Sequence, residues 1–186
     1  ENILKNLKYV AKKMIVNKNK LILMNQTHSN KVIEITKSNY KKKINSDAMI
    51  TKVKGLAISV VTADCVPIII YDLKNEIIGC IHAGWKGAFS GIIKNTVNKI
   101  KKINNNNMIF ASIGPCIGKK SYEVDINFYQ KFLKKTKQNK KYFSNKSKNK
   151  KLFNLRKFVA DKLIELQVKI DHVNHDTFKE KMNFFS

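Results

Sequence analysis

Two histidines and a cysteine hold the chemistry open to this chain. His28 stands in LILMNQTHSN, Cys65 in VVTADCVPIIIYD and His82 in IHAGWKG, each at the mouth of a strongly apolar stretch. The chain has only three cysteines and four histidines in all. A thiolate and two imidazoles suit zinc (Zn2+) in ligand type and number. Three protein ligands would leave a fourth position for water or substrate, as catalytic rather than structural sites do. Separations of 37 and 17 residues exclude a zinc-finger knuckle, so such a site would have to be assembled by tertiary structure. Spacing alone also fits a plainer reading, in which a buried cysteine is a small hydrophobe and each histidine a satisfied core or loop residue.

The neighbouring residues add to the chemical reading. Asp64, beside Cys65, is placed to orient a ligand or handle a proton, and equally to bond local amides as a turn aspartate. HAGWKG sets Gly84, Trp85, Lys86 and Gly87 between a strand and a helix start. Amides at a helix N-terminus, with a lysine, can hold an anion such as phosphate. The same residues also make an ordinary strand-to-helix turn with Trp85 covering the core. Gln26 precedes His28 by two and shares its face or simply ends a strand. Cys80 alternates in phase with His82 but lies inside its strand, as a core cysteine would. Cys116, in IGPCIG, reads as part of a glycine-proline turn, and His172 and His175 read as surface or structural.

These residues need elements to hold them. Ile3, Leu4, Leu7, Val10, Ala11 and Met14 recur at helical spacing over the first sixteen or so residues. β-Branched stretches predict strands over 21–26, 31–36, 47–51, 55–63, 67–72, 76–83, 108–114 and 121–125, several apolar on both faces as in buried sheets. A helix is expected from Ala88 to Lys102, ending at the asparagine run 104–107, and another through Ile126, Tyr129, Phe132 and Leu133. Residues 137–151 are so rich in lysine and asparagine that they read as a mobile loop. Asn154 is placed to cap a helix carrying Phe158, Val159, Leu163 and Leu166, and 168–173 predicts a last strand. Strands mixed with intervening helices argue for one α/β or α+β domain over 1–186 with a mixed sheet.

Charge is the chain's loudest feature: 37 Lys+Arg against 13 Asp+Glu, formally +24. Such an excess ordinarily suggests nucleic acid or an acidic membrane. Arg156 is the only arginine, however, and the lysines come with abundant asparagine and isoleucine. That trio is what A/T-rich codons produce, and the guanidinium forks that read bases are nearly missing. No specific nucleic-acid partner is therefore expected. An odd cysteine count without a CxxC pair suits a reducing, cytoplasmic setting. No apolar run approaches the roughly 20 residues of a membrane crossing. The residues do not decide between monomer and homodimer.

NQTHSNKV, SDAMIT, VVTADCVPIIIYD, IHAGWKGAFSGI and IGPCIGKKSYEV, in this order, resemble the laccase-domain family. Those proteins were first called multicopper polyphenol oxidoreductases and later understood as zinc-dependent purine nucleoside phosphorylases. The resemblance covers nearly the whole chain and implies a layered α/β/β/α sandwich on mixed sheets. It places the metal ligands on His28, Cys65 and His82, and implies phosphorolysis of adenosine, inosine, guanosine and methylthioadenosine, together with adenosine deamination. It further implies additional residues at both ends. A copper-dependent polyphenol oxidase, as the older name has it, would need about ten His/Cys ligands in repeated clusters, more than this chain can supply. A metal-free hydrolase, with Cys65 as nucleophile and His28 or His82 as base, uses the same residues and stays open.

Overall fold

A computed structural model describes residues 2–103 and 108–186. The expected helix end at the asparagine run 104–107 lies outside them. In chain order the elements are α1 (Asn2–Lys13), β1 (Leu21–Ile22), β2 (Val32–Ile35), β3 (Ala48–Thr51), β4 (Ala57–Ile58), β5 (Val66–Asp72) and β6 (Ile77–Ala83). They continue with α2 (Trp85–Ser90), α3 (Ile92–Ile103), β7 (Ile109–Ile113), β8 (Glu123–Asp125), α4 (Ile126–Lys135), β9 (Phe143–Asn145), β10 (Lys150–Phe153), α5 (Leu155–Glu165) and β11 (Lys169–His172). The chain is a mixed α/β domain, as its alternation of apolar strands and amphipathic helices implies.

Its centre is a six-stranded sheet in the order β11-β7-β5-β6-β3-β2. The two outer pairs are parallel and the three inner pairings antiparallel. On one face, Val66, Ile68 and Ile70 of β5 and Ile77 and Ile81 of β6 pack against Ile92, Ile93, Val97 and Ile100 of α3 and Phe158, Val159 and Leu163 of α5. On the other, Met49 and Cys80 meet Ile22 and Ile58 of the small parallel pair β1-β4. Ala11 of α1 then closes over Leu21 and Ala57. Helix, sheet, small sheet, helix is the layering the family resemblance implies. An antiparallel β8-β10-β9 sheet flanks this body. Its Phe143 and Phe153 join Phe128 and Phe132 of α4 in a tight aromatic cluster.

Several expected elements change shape. The strand over 55–63 shrinks to Ala57–Ile58 and that over 21–26 to Leu21–Ile22. Beyond Ile58 the backbone is claimed by a side chain: Gln26 donates to Val61 O at 2.8 Å and accepts from Val61 N at 2.9 Å. The single helix over 88–102 is two, broken at Gly91, whose φ of 99° is left-handed. β5 is not apolar-buried on both faces, because Ile69 is 53% exposed and Tyr71 39%. Residues 137–151, expected to form a mobile loop with little to bury, carry a 3-10 turn (Lys137–Tyr142), β9 and the start of β10. Two residues organise that stretch. Tyr142 is buried, its hydroxyl donating to Asp161, and the amide of buried Asn139 donates to Phe132 O at 2.8 Å.

Candidate metal centre

Sheet order brings the three mouths together. Because β5 and β6 are antiparallel, with Val66 opposite Ala83 and Pro67 opposite His82, the entry to β5 adjoins the exit of β6. Cys65 immediately precedes β5 and His82 is the penultimate residue of β6. On the other side of β6 lies β3, then β2, the two starting in register at Ala48 and Val32. The loop before β2 carries His28 to the same edge. The site thus lies at the beginnings of β2, β3 and β5 and the end of β6. The strands expected over 21–26, 55–63 and 76–83 would set all three residues at C-terminal strand ends. That holds for His82 alone, since the strand expected to end before Cys65 stops at Ile58.

The donor atoms of His28, Cys65 and His82 all lie within 4.8 Å of one another. Among the described residues this is the one such group of three or more metal-ligating side chains. Cys65 Sγ is 3.8 Å from His28 Nε2, and the two imidazoles meet edge to face with centroids 4.8 Å apart. A tetrahedral zinc holds its nitrogen and sulfur ligands roughly 3.4–3.6 Å apart, so small side-chain adjustments suffice to close this set around one ion. His28 is exposed, Cys65 half-buried and His82 buried, so the group opens to solvent on the His28 side. Gly84 keeps the centre clear. A Cβ there would stand 2.8 Å from both Cys65 Sγ and His28 Cδ2.

Electrostatics at the site favour a cation. Burial pushes the Cys65 thiol up to about 11, and the charges of Asp64 and Asp47 add to the shift. A thiolate there lacks positive company. Burial also lowers the pKa of His82, with His28 adding to the effect against the opposing pull of Asp47, so the ring is held neutral, as a metal ligand must be. His82 Nδ1 lies 2.8 Å from Asp47 Oδ1, which leaves Nε2 as the ligating atom.

The other expected site residues divide. Asp64 lies at the mouth, accepting from Thr177 Oγ1 at 2.8 Å and Ser186 Oγ at 3.1 Å. Trp85 packs edge-on against Phe128 at 4.8 Å between centroids, with Lys86 and Lys131 near its ring. Lys86 itself is exposed at the start of α2, and Gly84 is that helix's N-cap, with no side chain bonding its first amides. Gly87 lies under Ser29 O, where a Cβ would come within 2.9 Å. Gln26 spends both polar atoms of its amide on Val61. Cys80 is a core residue at 0% exposure, and Cys116 is buried, its backbone accepting from Thr177 N at 3.2 Å in an isolated β-bridge opposite Asp176. His175 pairs with Glu180 at 2.7 Å.

Sequence reasoning missed Asp47 and Tyr122. Asp47 is fully buried behind both histidines. Burial would raise its carboxyl, but hydrogen bonds from Ser29, His82 and the Thr27 amide outweigh it and hold it at about 2. Burial pushes the Tyr122 hydroxyl up to about 12, with the charges of Cys65 and Asp64 adding to the shift, and its ring packs edge-on against Phe153. Both stand in motif blocks, SDAMIT and IGPCIGKKSYEV, where a polar residue among apolar or glycine-rich neighbours was the available signal.

Known proteins resemble the chain in sequence and in fold. A protein named purine nucleoside phosphorylase from Rickettsia conorii is 39% identical over 166 residues, 88% of this chain and 68% of that protein. One of the same name from Haemophilus influenzae is 33% identical over 168 residues, covering 89% and 67%. The chain therefore spans about two thirds of the length of these relatives. The crystal structure of Bacillus licheniformis hypothetical protein YfiH superposes with a TM-score of 0.92 at 26% identity, over 99% of this chain and 74% of that one. The family described as multi-copper polyphenol oxidoreductase laccase matches residues 1–186 from end to end, and the chain belongs to it.

Proposed function

We propose that the chain is a zinc-dependent purine nucleoside phosphorylase. Its substrates would be adenosine, inosine, guanosine and methylthioadenosine, each split with phosphate into the base and the sugar 1-phosphate, with adenosine deamination as a second activity. One observation carries this reading: three donors of the right chemical kinds converge within 4.8 Å in a chain whose relatives are named for that activity. The donor set fits the metal. His82 is held neutral with Nε2 free, Gly84 leaves the centre unfilled, and no fourth side chain closes the group among the described residues. When bound, zinc supplies Lewis acidity and an open fourth position.

The chain's own residues would do the rest. His28, Cys65 and His82 hold the ion. Asp64, anchored by two hydroxyls, is the carboxylate beside them that takes or returns a proton. Lys86 and the first amides of α2 receive phosphate, because positive charge and unbonded N–H groups lie together at the turn that Gly84 and Gly87 shape. The protein would act on small molecules without a specific nucleic-acid partner and in the cytoplasm. Among the described residues no helix is long and apolar enough to cross a membrane.

The metal-free hydrolase fares less well. A cysteine nucleophile needs a lowered pKa and a base within about 3.2 Å. Here the thiol is pushed up to about 11, and His28 Nε2 is 3.8 Å away. The copper-oxidase reading lacks its ligands, for among the described residues there is one group of three where several clusters are required. The test is adenosine incubated with and without phosphate, with adenine, inosine and hypoxanthine quantified. Phosphate-dependent adenine is the expected product, and a wild-type chain giving none of the three refutes the proposal. Elemental analysis beside Cys65→Ser separates the rivals: stoichiometric zinc lost on substitution is expected, and activity without metal would favour the hydrolase.

A further inference from the structure

Asp47 has more to do than its burial requires. Its side chain is 0% exposed, and its two oxygens collect donors from both histidine-bearing elements. Oδ1 faces His82 Nδ1 at 2.8 Å and accepts from His28 N at 3.0 Å. Oδ2 accepts from Ser29 N and Ser29 Oγ, both at 2.6 Å, and from Thr27 Oγ1 at 3.3 Å, while Thr27 N lies 3.2 Å from each oxygen. His28 itself has a φ of 57°, in the left-handed region that side chains other than glycine avoid. A conformation of that kind persists only where its surroundings hold it. Three successive amides turned onto one carboxylate are such a hold.

Topology explains why one residue reaches both rings. Asp47 leads into β3, which lies between β2 and β6 in the sheet. On one side its backbone bonds Lys31 O, just below the His28 loop, and on the other its carbonyl accepts from His82 N at 2.8 Å. Resting on the metal-centre reading above, we infer that Asp47 is the positioning residue of the site: one carboxylate fixes the Nδ1–H tautomer of His82 and the strained backbone of His28 together. The set of donors is then pre-arranged for an ion before one arrives. Asparagine is the telling replacement: the three donors on Oδ2 claim its amide oxygen, so its amide nitrogen confronts His82 Nδ1 with a second donor.

The experiment measures zinc affinity by chelator competition for the wild-type chain and Asp47→Asn, with circular dichroism as the check on folding. The histidine tautomers are read by 15N–1H correlation spectra without metal. In the wild type, His82 should carry its proton on Nδ1. In folded Asp47→Asn that preference should be lost and zinc affinity should fall about 10- to 100-fold, the usual effect of removing such a partner. Unchanged affinity, or an unchanged His82 tautomer, overturns the inference. A wild-type chain that binds no zinc refutes the metal reading instead, and the tautomer comparison still judges Asp47. If Asp47→Asn does not fold, Ser29→Ala decides, since it removes one hydroxyl bond and keeps the carboxylate. A several-fold weaker zinc affinity supports the assignment, and none overturns it.

Discussion

Gly84 marks how little room separates a working arrangement from a blocked one. A single methyl at that position meets sulfur on one side and imidazole on the other at 2.8 Å, well inside normal contact. Gly84→Ala should therefore keep the fold, with a circular dichroism spectrum like wild type, yet lower the proposed phosphorolysis roughly 100-fold, because misplacing reacting groups by about 1 Å costs that much. Lys86 makes the opposite case. It is exposed, so Lys86→Ala should leave Tm unchanged while raising the phosphate KM at least about tenfold, the worth of one charge-assisted hydrogen bond. An unaltered KM would remove Lys86 from the phosphate site. His28, Cys65 and His82 were legible as candidate ligands because their types are rare in this chain and suit a metal, and the fold brings their donor atoms within 4.8 Å of one another. Asp47 was not, since an aspartate before a strand looks like any turn residue until the sheet order reveals which two loops it touches.

At the level of elements, the long helix after the site is interrupted at Gly91, where the chain turns left-handed with open space around the missing side chain. Gly91→Ala should thus cost only the conformational term, about 1 kcal/mol, or a Tm lower by some 2–4 °C for a domain of this size. A steric cause would show as a much larger loss. The strands β5 and β6 and the helix α5 were readable, the first two from β-branched runs and the last from its cap, for Asn154 accepts from Lys157 N as the pattern implied. The failures share a cause. In 55–63 a distant glutamine takes the backbone that a ladder would use, and in 137–151 two buried residues, Asn139 and Tyr142, anchor a stretch whose composition is otherwise that of a solvated loop. Long-range partners of that kind are invisible to periodicity.

For the whole molecule, the formal +24 makes the few carboxylates that are well bonded important to acid tolerance. Asp161 and Asp176 lie below the ordinary carboxylate range: against burial, which would raise them, act Lys141, Lys157 and Tyr142 on the first and Ser121 and the Gly118 amide on the second. Asp47 behaves likewise, and buried His82 resists protonation. Groups with depressed folded values contribute stability above their unfolded pKa and lose it as pH falls. Tm should accordingly be flat only between about pH 7 and 8, decline below about 6.5 as His82 is forced to charge, and fall steeply below about pH 4 with the aspartates. It should decline again above about 8.5, where the unfolded thiols ionise while burial holds those of Cys65 and Cys116 up at about 11. A Tm independent of pH between 7 and 3 would contradict these assignments. Asp176 also ties the last residues back to the body through Gly118 N and Ser121 Oγ, and that same segment delivers Thr177 and Ser186 to Asp64.

Trp85 is the one tryptophan in the chain and directly follows the glycine that abuts Cys65 Sγ. The molecule thus carries its own optical gauge, an indole one residue beyond that glycine and packed on Phe128 and Phe132 of α4. Titration with cobalt(II) should quench its emission to an endpoint at equal concentrations of ion and protein, and Cys65→Ser should abolish the endpoint. Occupancy could then be followed in real time, with no dye and no chromogenic substrate.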